Sequence, residues 1–268
     1  MKNNRKAVEG RQRRLLSIVQ ERGTISVEEL SEHLNVSSMT IRRDLADLAK
    51  QGLLIRQHGS ASSITHVGLM SRNDPTIVKC RKALAVYAAS LVEDGDKVFI
   101  NGSRTALDIL NYTGSKKVRV FTNNGWALDG KYPETVQIRM TGGIIYEHLL
   151  VGEYAVESLL SLSADKLFVG CAAVYADGQF RYDIPSEIGI NEMMVSRTKG
   201  DIYVLADHSK LREKADAEMI YGCFRYPVPV TLITDELADP QILEKLENTG
   251  LRILTVSFDG TLTGGTSR

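Results

Sequence analysis

In the stretch Ser37-Ser38-Met39-Thr40-Ile41-Arg42-Arg43-Asp44-Leu45 the aliphatic residues Ile41 and Leu45, continued by Leu48, repeat at helical spacing, and the polar residues between them fall on the opposite face. Ser37 can cap the start of this helix and Gly52 its end. The outward face carries Ser38, Thr40, Arg42 and Arg43. Short hydroxyls can approach phosphates, and guanidiniums can pair bidentately with guanine or with phosphate oxygens. Asp44, an acid next to two arginines, opposes a polyanion, so it is expected to orient one of them or to bond within the domain.

Working outward, Leu15, Leu16 and Val19 predict a helix from Gly10 to Arg22 that stops at Gly23. Ser26, three residues before Glu29, forms a capping box for a second helix from Val27 to Leu34, with Val27, Leu30 and Leu34 inward. Asn35 and Val36 make the turn into the helix of the opening stretch. Three helices with a tight turn between the second and third describe a helix-turn-helix. The apolar run Leu53-Leu54-Ile55 followed by Arg56-Gln57-His58-Gly59 predicts a hairpin, a wing that brings Arg56 and His58 beside a DNA backbone or minor groove. Each feature alone fits a small bundle with a solvated basic face, whereas their order within about 60 residues is a far more specific set. Residues 1–62 are therefore expected to form a winged helix-turn-helix that contacts double-stranded DNA through Ser37, Ser38, Thr40, Arg42, Arg43, Arg56 and His58.

The opening stretch resembles the recognition-helix signature of the DeoR family of bacterial sugar-metabolism regulators: a small residue, two variable positions, Thr, an aliphatic, Arg, a basic residue, Asp and an aliphatic. Every position fits. The wing departs slightly, with His58-Gly59-Ser60-Ala61 where that family commonly has two successive glycines.

Residues 63–78, polar and aperiodic with Pro75, read as a linker. From residue 79 to 268 a helix (Lys79 to Val92) precedes alternating strand and helix patterns, which predict a larger, mainly parallel open α/β sheet. Its strands are read at Val98–Asn101, Val118–Thr122, Val136–Thr141, Leu167–Cys171, Ile202–Ala206, Val230–Thr234 and Ile253–Val256. Small or polar residues follow several of them: Gly102-Ser103-Arg104-Thr105, Asn123-Asn124, Gly142-Gly143, and Asp207-His208-Ser209-Lys210. Ligands of open α/β sheets bind beyond the carboxyl ends of strands, so these loops are expected to converge on one crevice. Ser103 and Thr105 at the start of a helix read over Ala106–Tyr112 offer an anion site, and Arg104 and Lys210 add positive charge. The asparagines suit sugar hydroxyls, so the inventory fits a small phosphorylated polyol.

Two motifs are rejected. Gly125 to Gly130-Lys131 has the glycine and lysine spacing of a phosphate-binding loop, but Tyr132 stands where a magnesium-ligating hydroxyl belongs and Pro133 blocks the helix; Trp126 is expected to pack. Asp94-Gly95-Asp96 begins like a calcium loop but meets Thr105 where its glutamate should be, and reads as a turn.

The DeoR resemblance extends through Thr122-Asn123, Gly142-Gly143, Asp165-Lys166, Glu187, Asp207 with Ser209-Lys210, and Thr234-Asp235. It implies a sensor domain similar to sugar-phosphate isomerases, an effector that is a phosphorylated sugar, and repression relieved by that effector. The chain departs at Ser103-Arg104, where the family usually carries threonines, and at His208, usually a small residue. The expected effector set is Gly102, Ser103, Arg104, Thr105, Asn123, Asn124, Gly142, Gly143, Glu187, Asp207, Ser209 and Lys210.

Composition frames these readings. The 268 residues carry 33 basic and 33 acidic side chains. Residues 1–63 hold 11 Lys and Arg against 7 Asp and Glu, so the remainder is acidic by the same margin. An architectural DNA-binding protein would be basic throughout. The rival enzyme class, an isomerase using Asp207, Glu187 and Lys210, leaves the DNA-reading helix without a purpose. No stretch has the ~18–20 apolar residues that span a bilayer, and the polar, basic N-terminus is no secretory signal, so a cytoplasmic regulator without membrane contact is expected. Cys80, Cys171 and Cys223 lack paired spacing, so no disulfide framework, zinc knuckle or other metal or cofactor site is expected. Two readers in successive major grooves require a homo-oligomer, a dimer or tetramer.

Overall fold

The computed structural model describes residues 2–22, 24–50, 54–57, 59–62, 74–182, 184, 186–214 and 223–265. The described residues up to Pro75 form one compact unit and those from Thr76 a second.

In the first unit α1 (Lys2–Arg22), β1 (Thr24–Ser26), α2 (Val27–Leu34) and α3 (Ser38–Lys50) precede the hairpin β2 (Ile55–Gln57) and β3 (Ser60–Ser62). Their core is the expected stripe: Leu15, Val19, Val27, Leu30, Ile41, Leu45 and Leu48, closed by Leu54 and Ala61 from the hairpin. The capping box is present in both halves, Glu29 N–H donating to Ser26 Oγ at 3.1 Å and Ser26 N–H to Glu29 Oε2 at 2.9 Å. These contacts hold the exposed Glu29 carboxyl below its ordinary range. Asn35 takes the left-handed conformation (φ 51°) that lets α2 end and α3 turn away. Ser37 caps α3, accepting from Thr40 N–H at 3.3 Å. β3 pairs antiparallel with both β1 and β2, which gives the wing three strands. α1 begins at Lys2 rather than Gly10, because Lys, Arg, Ala and Glu continue a helix by propensity without an apolar stripe. His58, Gly52 and the expected linker residues 63–73 lie outside the described residues.

The second unit opens within α4 (Pro75–Ser90), a helix that starts four residues earlier than the periodicity suggests, since Pro at the first helical position is compatible with a start there. An eight-stranded sheet follows, with order β17-β16-β15-β12-β9-β4-β5-β6. Its strands are β4 (Lys97–Ile100), β5 (Val118–Thr122), β6 (Val136–Met140), β9 (Lys166–Gly170), β12 (Ile202–Leu205), β15 (Thr231–Asp235), β16 (Arg252–Val256) and the antiparallel edge β17 (Leu262–Gly265). The seven read from sequence are all present and mutually parallel. Alternate residues serve two cores. Phe99, Leu167, Val169, Val204 and Leu232 pack with Ala155, Ile190 and Met194 from α6 (Glu153–Leu160) and α7 (Ser186–Arg197). Val98, Ile100, Phe168, Leu205 and Ile233 pack on the other face with Ala83, Leu84 and Ala88 of α4. The result is a three-layer α/β unit.

Also present are the hairpin β7 (Ile144–Tyr146) and β8 (Leu149–Val151) and a small sheet of β10 (Ala173–Tyr175), β11 (Phe180–Arg181), β13 (Leu211–Arg212) and β14 (Cys223–Phe224), none of them read from sequence.

Candidate nucleic-acid interface and ligand crevice

On α3 the structure separates the acid from the bases. Asp44 turns inward, where Arg11 of α1 grips both carboxylate oxygens, Nε to Oδ2 at 2.5 Å and Nη2 to Oδ1 at 3.1 Å, joined by Gln12 Nε2 at 3.4 Å. This pairing raises the Arg11 pKa. Of the two roles expected of Asp44, bonding within the domain is the one observed. Arg42 and Arg43 lie exposed on the outward face, with Ser38 and Thr40 half-buried beside them. Ser37 and Thr40 share a hydroxyl contact of 2.9 Å. Met39, which sequence reasoning passed over, is 74% exposed on the same helix. An apolar group there can meet a thymine methyl. Arg56 lies in β2 of the wing.

In the second unit the chain leaves β4 first to one side, through β5 and β6, and then to the other, through β9, β12, β15 and β16. The carboxyl ends of β4 and β9 thus flank the topological switch point where open sheets bind ligands. Asn101, buried and read from sequence only as the end of a strand, bridges that gap: its Nδ2 donates to Gly170 O at 3.1 Å, and its Oδ1 accepts from Gly170 N–H at 3.0 Å and Ser103 N–H at 3.2 Å. Two glycines make the close packing feasible. A Cβ on Gly102 would sit 2.6 Å from Glu187 Oε1 and 2.2 Å from Leu149 Cδ2, and one on Gly170 would sit 2.1 Å from Ser103 Oγ. Gly102, Ser103 and Glu187 are therefore brought together at the switch point. One turn further along α7 from Glu187, Asn191 is buried with neither amide atom hydrogen-bonded, a polar group facing the same way that sequence spacing did not single out.

Several expectations are corrected in detail. The helix after Ser103 is not Ala106–Tyr112: α5 spans only Arg104–Leu107, a 3-10 turn takes Asp108–Tyr112, and Ser103 Oγ caps Ala106 N–H at 3.2 Å. One α-turn adds little dipole, so any anion held there depends on hydrogen bonds and side-chain charge. Arg104 lies over the Trp126 ring at 4.3 Å, and Trp126 stacks on His148 at 3.5 Å, as a packing tryptophan should. Asn124 is committed to the scaffold: Nδ2 donates to Asn101 O at 3.2 Å and Ser103 O at 3.0 Å, while Oδ1 accepts from Trp126 N–H at 3.1 Å. Asn123 donates to Leu150 O at 3.4 Å and keeps a buried Oδ1 unpaired. Gly142 and Gly143 both need positive φ, and a Cβ on Gly143 would meet Val151 O at 2.5 Å, so this pair serves the entry of the chain into the β7–β8 hairpin, whose own turn is at Glu147 and His148. An open cleft lined by Phe121, Arg139, Met140, Thr141, Ser158 and Leu162 contains none of the expected effector residues.

Asp207 is no free clamp. It is 2% exposed, pairs with Arg81 Nε at 2.8 Å, and accepts from Ser209 N–H at 3.1 Å and from the Ser209 hydroxyl. Arg81 lies 126 positions away in sequence, beyond any spacing rule. Lys210 follows, half-buried, its N–H donating to Asp207 O at 2.8 Å.

Comparison with known proteins places these features. Residues 11–67 match the family described as DeoR-like helix-turn-helix domain, and residues 78–222 the DeoR C terminal sensor domain. The chain is 27% identical over 255 residues to the HTH-type transcriptional repressor CsqR of Escherichia coli, covering 91% of this chain and 94% of that one. It is 30% identical over 246 residues to the lactose phosphotransferase system repressor of Lactococcus lactis, covering 87% and 92%. A ribose 5-phosphate isomerase from Plasmodium falciparum aligns over 70% of this chain and 98% of its own, at 10% identity and a TM-score of 0.38.

Proposed function

We infer the function from one premise: this chain belongs to the DeoR family of DNA-binding transcriptional regulators. It is a regulator, not an enzyme. On our reading it represses carbohydrate-metabolism genes, and a phosphorylated sugar bound in the second unit lowers its affinity for the operator. The observation that carries the DNA half is the outward pair Arg42 and Arg43, left to the solvent because Arg11 holds Asp44. Ser38, Thr40 and Met39 complete a face suited to phosphates and base edges.

The effector half is supported by the convergence of Gly102, Ser103 and Glu187 at the switch point; on this reading Arg104 and Lys210, from the segments that follow β4 and β12, supply the cationic charge. Asp207 and Ser209 act there by positioning their loop, and Asn124 by holding the β4 loop against the next. Two recognition helices must span successive major grooves, so the working form is a homo-oligomer, a dimer or tetramer. The exposed Ile144, Ile145, Tyr146 and Tyr154 offer apolar surface for such contacts. No described helix is long and apolar enough to cross a membrane, and on our reading the DNA-binding role makes this a cytoplasmic protein. An effector can act only by favouring one arrangement over another.

A panel of sugar phosphates tests the effector reading by thermal shift. At least one member is expected to stabilise the wild type and to lose that effect in Lys210→Ala. No response from any phosphorylated sugar would overturn it, and a turnover assay on the same panel, expected to be blank, closes the isomerase alternative.

A further inference from the structure

Next to the Asp207 loop, three segments distant in sequence bring different donor atoms to one point. Cys80 comes from α4, His208 from the loop after β12 and Asp235 from the end of β15. The thiol sulfur lies 3.7 Å from His208 Nδ1, and Asp235 Oδ1 lies 2.8 Å from that same nitrogen. All three donor atoms fall within 4.8 Å of one another. We propose that Cys80, His208 and Asp235 form a three-ligand site for a divalent transition ion of the zinc class.

The geometry argues against the other use of these residue types. In a cysteine nucleophile with a histidine base, the imidazole contacts the thiol through one nitrogen and the acid through the other. Here both converge on Nδ1, so no relay runs through the ring. Convergence on one point is what a metal requires. Tetrahedral bonds of about 2.0–2.3 Å place neighbouring donor atoms roughly 3.3–3.6 Å apart, so the set needs only a small opening between imidazole and carboxylate.

The chemistry of the donors selects the ion. One thiol, one imidazole and one carboxylate suit zinc and its neighbours rather than magnesium or calcium, which want oxygen alone. Asp235 is fixed in orientation by its surroundings. It is 1% exposed, Oδ2 accepts from His208 N–H at 2.7 Å, and Oδ1 also accepts from Leu237 N–H at 3.1 Å. Such outer contacts hold a ligand ready for a metal. Charge favours a cation as well. Two buried carboxylates, Asp207 and Asp235, lie close to the Cys80 thiol, and the Arg81 guanidinium pairs with Asp207. A dication bound with loss of the thiol proton neutralises this group. The His208 side chain is 25% exposed, which leaves an approach from solvent and room for a fourth ligand.

The site stands apart from the effector reading and is tested without it. Full-length protein stripped with a chelator is titrated with cobalt(II), then zinc. One equivalent of cobalt per chain is expected, with a thiolate-to-cobalt charge-transfer band that zinc abolishes. Cys80→Ser should lose the band, a Cys171→Ser/Cys223→Ser double variant should keep it, and His208→Ala should bind cobalt at least 10-fold more weakly. His208→Ala retains the backbone N–H that Asp235 accepts, so it should remain folded, with a lower melt than wild type, and the binding readout remains interpretable if Cys80→Ser fails to fold. No thiolate band in the wild type, a band that survives Cys80→Ser, or unchanged affinity in a folded His208→Ala would each overturn the proposal.

Discussion

The Arg11–Asp44 pair decides whether α3 presents its arginines outward, and its two members are unequally buried. The Asp44 side chain is 3% exposed and that of Arg11 is 24% exposed. Arg11→Ala strands a carboxylate where water scarcely reaches, leaving it, among the described residues, only the long Gln12 contact of 3.4 Å. Losing one partner of a buried ion pair costs about 3–5 kcal/mol, and the partial exposure of Arg11 places this case near 3. Asp44→Asn keeps an acceptor in nearly the same shape and leaves a guanidinium that can swing into solvent. Its cost is that of weakened charge-assisted hydrogen bonds, about 1–2 kcal/mol. The order of the two variants thus follows from which charge is left dry. Replacing both, as Arg11→Met with Asp44→Leu, should fall within about 1 kcal/mol of wild type, because an apolar pair has no charge to desolvate. Hydrogen-exchange mass spectrometry on the full chain, reading α1 and α3 amides, reports this unit's opening separately from the larger one. Arg11→Ala costing less than Asp44→Asn would mean that Asp44 is not the charge left dry.

Two further outcomes are expected. Gly102→Ala forces Leu149 and Glu187 aside from a Cβ at 2.2 and 2.6 Å; both obstructing atoms are side-chain ends, so the melt should drop by about 1–3 kcal/mol while the sugar-phosphate thermal shift shrinks more than the stability loss predicts. Lys166, 2.8 Å from Asp96 and 3.6 Å from Glu93, has its pKa pulled down by burial but raised further by these two acids, to a net value above 10.5. A raised amine stabilises the fold fully below its ordinary value and loses that contribution as pH climbs through the folded one. Wild-type stability should therefore fall above about pH 10.5 more steeply than that of Lys166→Met, as denaturant midpoints across pH 8–12 would reveal.

The helix-turn-helix was legible because each of its signals is local. Ser26 with Glu29, Asn35 in the turn, and the 41, 45, 48 stripe each act within a few residues. The seven parallel strands were legible for a related reason: strands buried on both faces read as continuous apolar runs. What escaped lacks such runs. β7 is wholly exposed, β17 is exposed and ends in two glycines, and the strands of the small sheet are two or three residues long. In the crevice the residue types at strand ends were visible, but their partners were not. Arg81 on Asp207 and Asn101 on Gly170 join positions 126 and 69 apart, and only the fold brings them together. The same distance hid the meeting of Cys80, His208 and Asp235, whose spacing matches no metal motif.

On the proposed function α3 reads DNA through Arg42 and Arg43. Its most direct test enriches binding sites for the full-length protein from random duplex DNA, then measures wild type, Arg42→Ala and Arg43→Ala on the winning site by fluorescence anisotropy at fixed salt. A guanidinium paired with a base is worth about 1–3 kcal/mol, so at least one variant should bind roughly 5- to 150-fold more weakly with reduced preference over scrambled DNA. Enrichment of no sequence, or equal affinity for all three proteins, would show that neither arginine reads DNA.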